Sequence, residues 1–221
     1  MLAGEAVVAI WNGIAPEGQA EFYAWHLHEH MPERVGIPGF RRGRRYSAAD
    51  AATHPAYFTL YEADTMQVLQ GGDYLNRLNA PTAWTKSATA HFRDTSRALA
   101  RVLETTGPGA GGALLTIRFD ADPAAAAALC DRVRHAAASP RVTGAHLCAG
   151  DATASRADTA ETKGRADIQA PPAWFALIEA TDAEALAGLL PDAALTEAGA
   201  YPTPQRGLYR LEYTRLKTAF A

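Results

Sequence analysis

One nine-residue segment occurs twice in this chain. Pro55-Ala56-Tyr57-Phe58-Thr59-Leu60-Tyr61-Glu62-Ala63 returns as Pro172-Ala173-Trp174-Phe175-Ala176-Leu177-Ile178-Glu179-Ala180, with six of nine positions identical. A repeat of this kind is the first thing to fix, because every other element can then be laid over it. Each copy alternates along the chain and leads to an Asp suited to a helix N-cap, Asp64 or Asp182, so each reads as a strand entering a helix. In the first half a strand (about 5–12) leads to a helix (about 16–34), a strand opened by Pro38-Gly39-Phe40, the repeat strand, a helical region (about 64–89) and a last strand (about 92–103). The second half gives a strand (113–119), a helix (123–138), a strand (142–149), the repeat strand, a short helix (182–190) and a last strand (207–216). Both orders are βαββαβ, so the predicted fold class is α+β, with tandem ferredoxin-like βαββαβ repeats. The predicted organisation is a first repeat over 1–105, a Gly-rich linker over 106–112 and a second repeat over 113–221. The polar stretch 150–170 has few large apolar residues and is expected to be a mobile loop.

Composition narrows the class. With 48% hydrophobic residues, 20% charged residues and a net charge of −3, the chain excludes wholesale disorder and general polyanion binding. Two cysteines, Cys130 and Cys148, can neither frame a disulfide scaffold nor complete a zinc site. There is no basic segment followed by an apolar leader, and no apolar run approaches the ~20 residues that a membrane span needs. The expected location is therefore cytoplasmic. Eighteen of the 21 basic residues are arginine, which suggests a GC-rich bacterial source and leaves few candidates for lysine chemistry.

Candidate chemistry concentrates on the first helix, Phe22-Tyr23-Ala24-Trp25-His26-Leu27-His28-Glu29-His30-Met31-Pro32-Glu33-Arg34. At 100° per residue Phe22, His26 and His30 form one stripe, flanked by Trp25 on one side and Tyr23, Leu27 and Met31 on the other. Two histidines thus sit on an apolar face. Burial would lower their pKa, a nearby Glu29 or Glu33 carboxylate would raise it, and either way a proton is expected to move near neutral pH. A single buried histidine is ordinarily a hydrogen-bonded core residue; two on one face beside Glu29 make acid/base catalysis an equal contender.

Other uses of these residues follow from their types. His26-Leu27-His28-Glu29-His30 matches H-x-x-E-H, in which two histidines bind zinc and the Glu acts as base. A third ligand would have to come from Glu33, Glu104 or His91, and so short a pattern is frequent by chance. Tyr57, Thr59 and Tyr61 share one face of the repeat strand, where the tyrosines could steady an oxyanion or simply pack. Trp25, Trp84 and Phe92 could wall an aromatic-sized pocket. Arg41-Arg42-Gly43-Arg44-Arg45 looks like a nucleic-acid patch, but a strand splits such residues between two faces. Arg45 is better used on a substrate carboxylate or paired with Glu33 or Glu62, and no nucleic-acid partner is expected.

The run Trp25-His26-x-x-Glu29-His30-Met31-Pro32-Glu33-Arg34, followed by Ile37-Pro38-Gly39-Phe40 and Arg44-Arg45-Tyr46, resembles the dimeric α+β barrel superfamily, and in particular its EthD-like members. Their first helix carries a Glu-His-x-Pro element and their second strand begins at Pro-Gly-Phe. Tyr74-Leu75-x-x-Leu78-Asn79-x-Pro81-Thr82-x-Trp84-Thr85 is also similar to this group. The resemblance covers the first half and reaches the second only through the duplication. It implies a fused, pseudo-dimeric α+β barrel and assigns the family's helix histidine to His30. Laying Pro16 on Pro123 sets His26 against Val133 and His30 against Ala137, so the second half is expected to be degenerate and structural, with one pocket in the first.

The expected activity is therefore cofactor-independent acid/base catalysis on a small apolar, aromatic or polyketide-like substrate: isomerisation, cyclisation, lyase chemistry or cofactor-free oxygenation. His30, His26 and Glu29 are the expected catalytic residues, and Trp25, Phe22, Tyr57, Tyr61, Arg45 and Trp84 the expected substrate contacts. No metal or cofactor is expected. The alternatives are haem or a divalent metal held by His26 or His30, and a non-catalytic ligand-binding protein. The chain is expected to be a monomer or a homodimer.

Overall fold

The computed structural model describes residues 1–218; the last three residues of the second predicted repeat, 219–221, lie outside the described residues. Strand β1 (Ala6–Ile14) enters a helical region built from a 3-10 turn (Pro16–Gly18), helix α1 (Gln19–Trp25), a π turn (His26–His30) and α2 (Met31–Gly36). Strands β2 (Phe40–Ala48) and β3 (Tyr57–Ala63) follow, then three short helices, α3 (Met66–Gln70), α4 (Gly72–Asn79) and α5 (Ala83–Ala90), and the long strand β4 (Phe92–Thr106). The second half runs β5 (Ala113–Ala121), α6 (Ala126–Ala137), β6 (Val142–Gly150), α7 (Ala152–Ser155), β7 (Ile168–Gln169), β8 (Trp174–Ala180), α8 (Asp192–Glu197) and β9 (Ala200–Leu216).

The expectation of two tandem ferredoxin-like units packed into a pseudo-dimeric barrel is corrected here. The strands form one closed antiparallel barrel of eight, in the order β1-β3-β2-β9-β5-β8-β6-β4, with β4 returning to β1. Closure runs through two strands longer than the sequence reading allowed. β4 pairs with β1 from Phe92 to Arg101 and with β6 from Ala100 to Thr106. β9 begins at Ala200 rather than about residue 207, and pairs with β5 and then with β2. Separate sheets would each expose an unpaired edge, and running the edges of the two halves into each other satisfies those N–H and C=O groups.

Alternation decides which side chains fill the barrel. Trp11, Phe58, Leu60, Phe175, Leu177, Tyr46 and Tyr209 point inward and form one buried cluster drawn from both halves. One end of the interior is ionic. Glu62 accepts from Arg42 at 2.8 Å and from Arg44 at 3.1 Å, Glu179 accepts from Arg44 at 2.6 Å, and His146 lies 3.2 Å from Glu179. The basic run is thereby dispersed: Arg42 and Arg44 go inward to carboxylates, and Arg41 pairs with Asp64 outside. Arg45 pairs with Glu212 rather than with Glu33 or Glu62.

The outer faces of the two halves differ. Behind the second, Leu129, Val133 and Ala136 of α6 pack on Ile117, Leu147 and Ile178, and α8 adds Leu195. Behind the first, the sheet and its helices stand apart around a cavity. No helix among the described residues is long and apolar enough to cross a membrane.

Candidate functional site

The cavity measures about 780 Å³ and lies between the outer face of β1, β3 and β4 and the helices of the first half. That is the size of pocket that takes a drug-sized ligand. Its floor is a row of paired residues, Thr59, Ile10 and Arg97, with Asn12 and Thr95 beside it. Phe22, Trp25, His26 and His30 line it from the first helix, and Leu78, Thr89 and Phe92 close the sides.

The predicted continuous helix carries a π turn where the histidines sit: the Met31 N–H donates to the His26 carbonyl, five residues back. Pro32 explains it. Proline offers no N–H to the carbonyl of His28 and its ring would press on that carbonyl, so the turn before it widens. Both rings face the cavity wall, 5.6 Å apart between centroids and inclined by 31°, and His30 lies against Trp25 at 4.2 Å. His28 points to solvent.

Both rings are buried and neutral. His26 has its pKa lowered to about 3, by desolvation first and then by the Arg45 and Arg34 guanidiniums. His30 is held well below its ordinary value by desolvation, Arg34, His26 and Arg77. The expectation of a proton moving near neutral pH through Glu29 or Glu33 is corrected, because both carboxylates are engaged elsewhere. Glu29 accepts from the hydroxyls of Thr82, at 2.6 Å, and Thr85, at 3.2 Å; Glu33 pairs with Arg77 at 3.3 Å. On His26, Nδ1 faces Arg45 Nη1 and Nε2 faces the Tyr61 hydroxyl, each at 3.5 Å. His30 Nδ1 is buried without a hydrogen-bond partner. An orphaned polar atom of this kind is uncommon and calls for a cause.

Of the nine residues expected to act on or contact a substrate, Phe22, Trp25, His26 and His30 border the cavity and five do not; Phe92, expected as a pocket wall, borders it as well. Glu29 ties the start of α5 to the first helix, where Thr85 also accepts from the Trp25 indole at 3.2 Å, so it fixes Trp25 rather than a histidine. Tyr61 and Arg45 stand behind His26; Arg45 lies over Tyr23 at 4.6 Å and bonds Glu212 at 3.1 Å. Tyr57 packs on Phe22 at 4.9 Å, and Trp84 leans half-buried on the same aromatic group. His91 sits part-exposed 3.7 Å from Glu21.

Sequence reading missed the rest of the lining. Asn12 and Arg97 were detectable as polar residues on the outward phase of β1 and β4. The larger omission is the cover. Segment 150–170, expected to be mobile, carries α7 and β7 and lies across the first-half cavity, with residues 155–165 in its wall. It is tied down by polar contacts: Glu161 to the buried Arg34, Ala160 N–H to Asn79 at 3.0 Å, Glu161 N–H to the Leu78 carbonyl at 3.1 Å, and β7 beside β4. Its polarity reads as solvation in the sequence because many of the groups that satisfy it lie far back in the first half, 72 residues away for Asp167 and 81 for Ala160.

No family model and no curated protein matches the chain by sequence. Solved structures share its dimeric α+β barrel fold. An anthrone oxidase-like protein superposes with a TM-score of 0.61 at 14% identity, covering 96% of this chain and 92% of its own. A candidate monooxygenase of Fusobacterium nucleatum gives 0.56 at 10%, covering 98% and 96%. A chlorite dismutase variant of Candidatus Nitrospira defluvii, in complex with cyanide, gives 0.52 at 10%, covering 94% and 90%. At these identities the likeness establishes the fold.

Proposed function

We propose that this chain is a small-molecule enzyme that moves a proton on a planar aromatic ketone or phenol held in the first-half cavity. The observation that carries the reading is His30: a buried, neutral imidazole that lines an aromatic-walled pocket, its Nδ1 enclosed without a hydrogen-bond partner. A neutral ring keeps a lone pair to accept a proton. When it does, the bond from substrate to hydrogen breaks, its electron pair stays on the substrate as an enolate or phenolate, and the imidazole becomes cationic. The new anion beside the ring is the opposite charge that offsets the desolvation now holding it neutral. Asn12 and Thr59 on the floor supply polar groups for the developing oxyanion. The anion is then reprotonated elsewhere, which is isomerisation, or reacts with O2.

The likeness to an anthrone oxidase-like protein supports a ring system of this scale. The Glu29-His30-Met31-Pro32 element supports an EthD-like member, with residues 1–105 carrying the pocket and 113–221 completing the barrel. A metal or haem site is the less suited reading. Against a divalent metal, no three His, Cys, Asp or Glu side chains converge as ligands among the described residues; haem would need only one axial histidine. His26 meets a guanidinium on one nitrogen and a phenol on the other, and His30 Nδ1 lacks the acceptor that orients a ligating histidine. The donor set does not fit the group.

The test is solvent-deuterium exchange at the C10 hydrogens of anthrone, followed by NMR without O2. The protein should accelerate exchange, and His30→Ala should remove ~10²–10⁴ of that rate while the far-ultraviolet spectrum is kept. A folded His30→Ala protein with undiminished exchange refutes the assignment.

A further inference from the structure

One cation on the floor of the cavity has no counter-charge. Arg97 projects from the floor on the outward phase of β4, half-buried, beside Ile10 of β1. Its Nη2 donates to the Tyr74 hydroxyl at 2.9 Å, and its guanidinium lies 5.8 Å from the Tyr74 ring centroid. No carboxylate pairs with it among the described residues; the cavity's further charges are the cationic Arg156, Lys163 and Arg165 and the carboxylates Asp158 and Glu161 of the cover. Glu161 is taken by Arg34, and Asp167 by Arg165. The adjoining recess, which shares Phe92, Lys163 and Arg165 with the cavity, adds Lys86 and Arg93. In a chain of net charge −3, a locally cationic cavity needs a reason. An unpaired guanidinium brought partly out of water is retained where an anion completes it, and its planar fork suits a carboxylate.

We propose that the cavity takes an aromatic carboxylate, with the carboxylate on Arg97 and the rings between Ile10 on one side and Trp25, Phe22 and Phe92 on the other. The inference deepens the proton-transfer reading by naming the substrate class, and it rests on that reading for the fate of the bound molecule. Tyr74 acts as a positioning residue, holding the guanidinium against the floor. Lys86, Arg93 and Lys163 at the recess favour the approach of an anion over that of a neutral ring.

Binding tests this without turnover. The probes are anthracene-2-carboxylate and its neutral counterpart 2-(hydroxymethyl)anthracene, followed by their own fluorescence anisotropy. The wild type should hold the carboxylate at least ~10-fold more tightly, the ratio expected of a charge-assisted hydrogen bond. Arg97→Gln should erase that ratio and leave the alcohol within about twofold, and Arg97→Lys should restore part of it. Equal affinity for the two probes in the wild type, or no binding of either, overturns the proposal. Unchanged carboxylate affinity in Arg97→Gln also overturns it, as does an equal loss of both probes, which would make Arg97 a structural residue. The readout is binding without turnover, so undiminished anthrone exchange in a folded His30→Ala protein would refute the proton-transfer reading and leave this result standing.

Discussion

Two buried neutral histidines make this protein acid-sensitive, and the size of the effect follows from their surroundings. In the unfolded chain each imidazole titrates near 6.5; in the folded protein His26 is lowered to about 3 and His30 well below its ordinary value. Below pH 6.5 the unfolded chain therefore binds protons that the folded chain refuses. Stability contributed in this way is complete above 6.5 and is lost as the pH falls towards the folded values. At pH 5 each ring costs 1.36 kcal/mol for each of about 1.5 pH units, or about 2 kcal/mol, so the pair removes about 4 kcal/mol between pH 8 and pH 5. That is a large fraction of the 5–15 kcal/mol typical of a domain. Urea unfolding at pH 8, 7, 6 and 5 reads the loss directly. His26→Gln and His30→Gln should each remove about 2 kcal/mol of it, leaving the share of His146, which is also lowered by burial. The comparison is of slopes, so any loss of stability common to all pH values cancels. A wild-type loss below about 1 kcal/mol, or a slope unchanged in both variants, would show that the rings carry protons in the folded state and would refute the argument.

Three further outcomes are expected. Arg44→Met leaves Glu62 and Glu179 without their shared buried partner and should cost about 3–5 kcal/mol in chemical unfolding, whereas the exposed Arg41→Met should cost under about 1 kcal/mol. Glu161→Gln releases the cover from Arg34; amides of residues 159–168 should exchange with solvent ~10-fold faster or more while those of β1 and β3 keep their rates, and equal rates throughout would show that the ion pair does not hold the segment. Glu29→Gln should leave the pH dependence of anthrone exchange unmoved, because Glu29 bonds Thr82 and Thr85; a shifted profile would place its carboxylate in contact with a histidine after all.

Much of the candidate site was readable in the sequence because it depends on local periodicity. The stripe of Phe22, His26 and His30, with Trp25 beside it, needs only the helical repeat, and all four border the cavity. Pro32 was in plain view as well, and would have signalled the wider turn before it. Tyr57 and Tyr61 were placed on the correct face of β3, yet periodicity cannot say how far along that face a cavity extends. Helix packing covers both ends and leaves Thr59 between them open. The pKa of the histidines was out of reach for the same reason: Glu29 is adjacent in sequence, but the hydroxyls that claim it arrive from α5, 53 and 56 residues later.

What the sequence by itself determined is most of the strands and helices, the split of Tyr57, Thr59 and Tyr61 from Phe58, Leu60 and Glu62 on β3, and the concentration of chemistry on one helix. These follow from side-chain alternation and helical spacing, which act over a few residues. Only the tertiary structure decided that the sheet closes into a single barrel, that β4 and β9 run long enough to join its halves, and that segment 150–170 covers the cavity of the other half. Edge pairing and polar satisfaction are contacts between residues far apart in the chain. A strand edge or a polar loop carries the same local pattern whether water or another segment meets it.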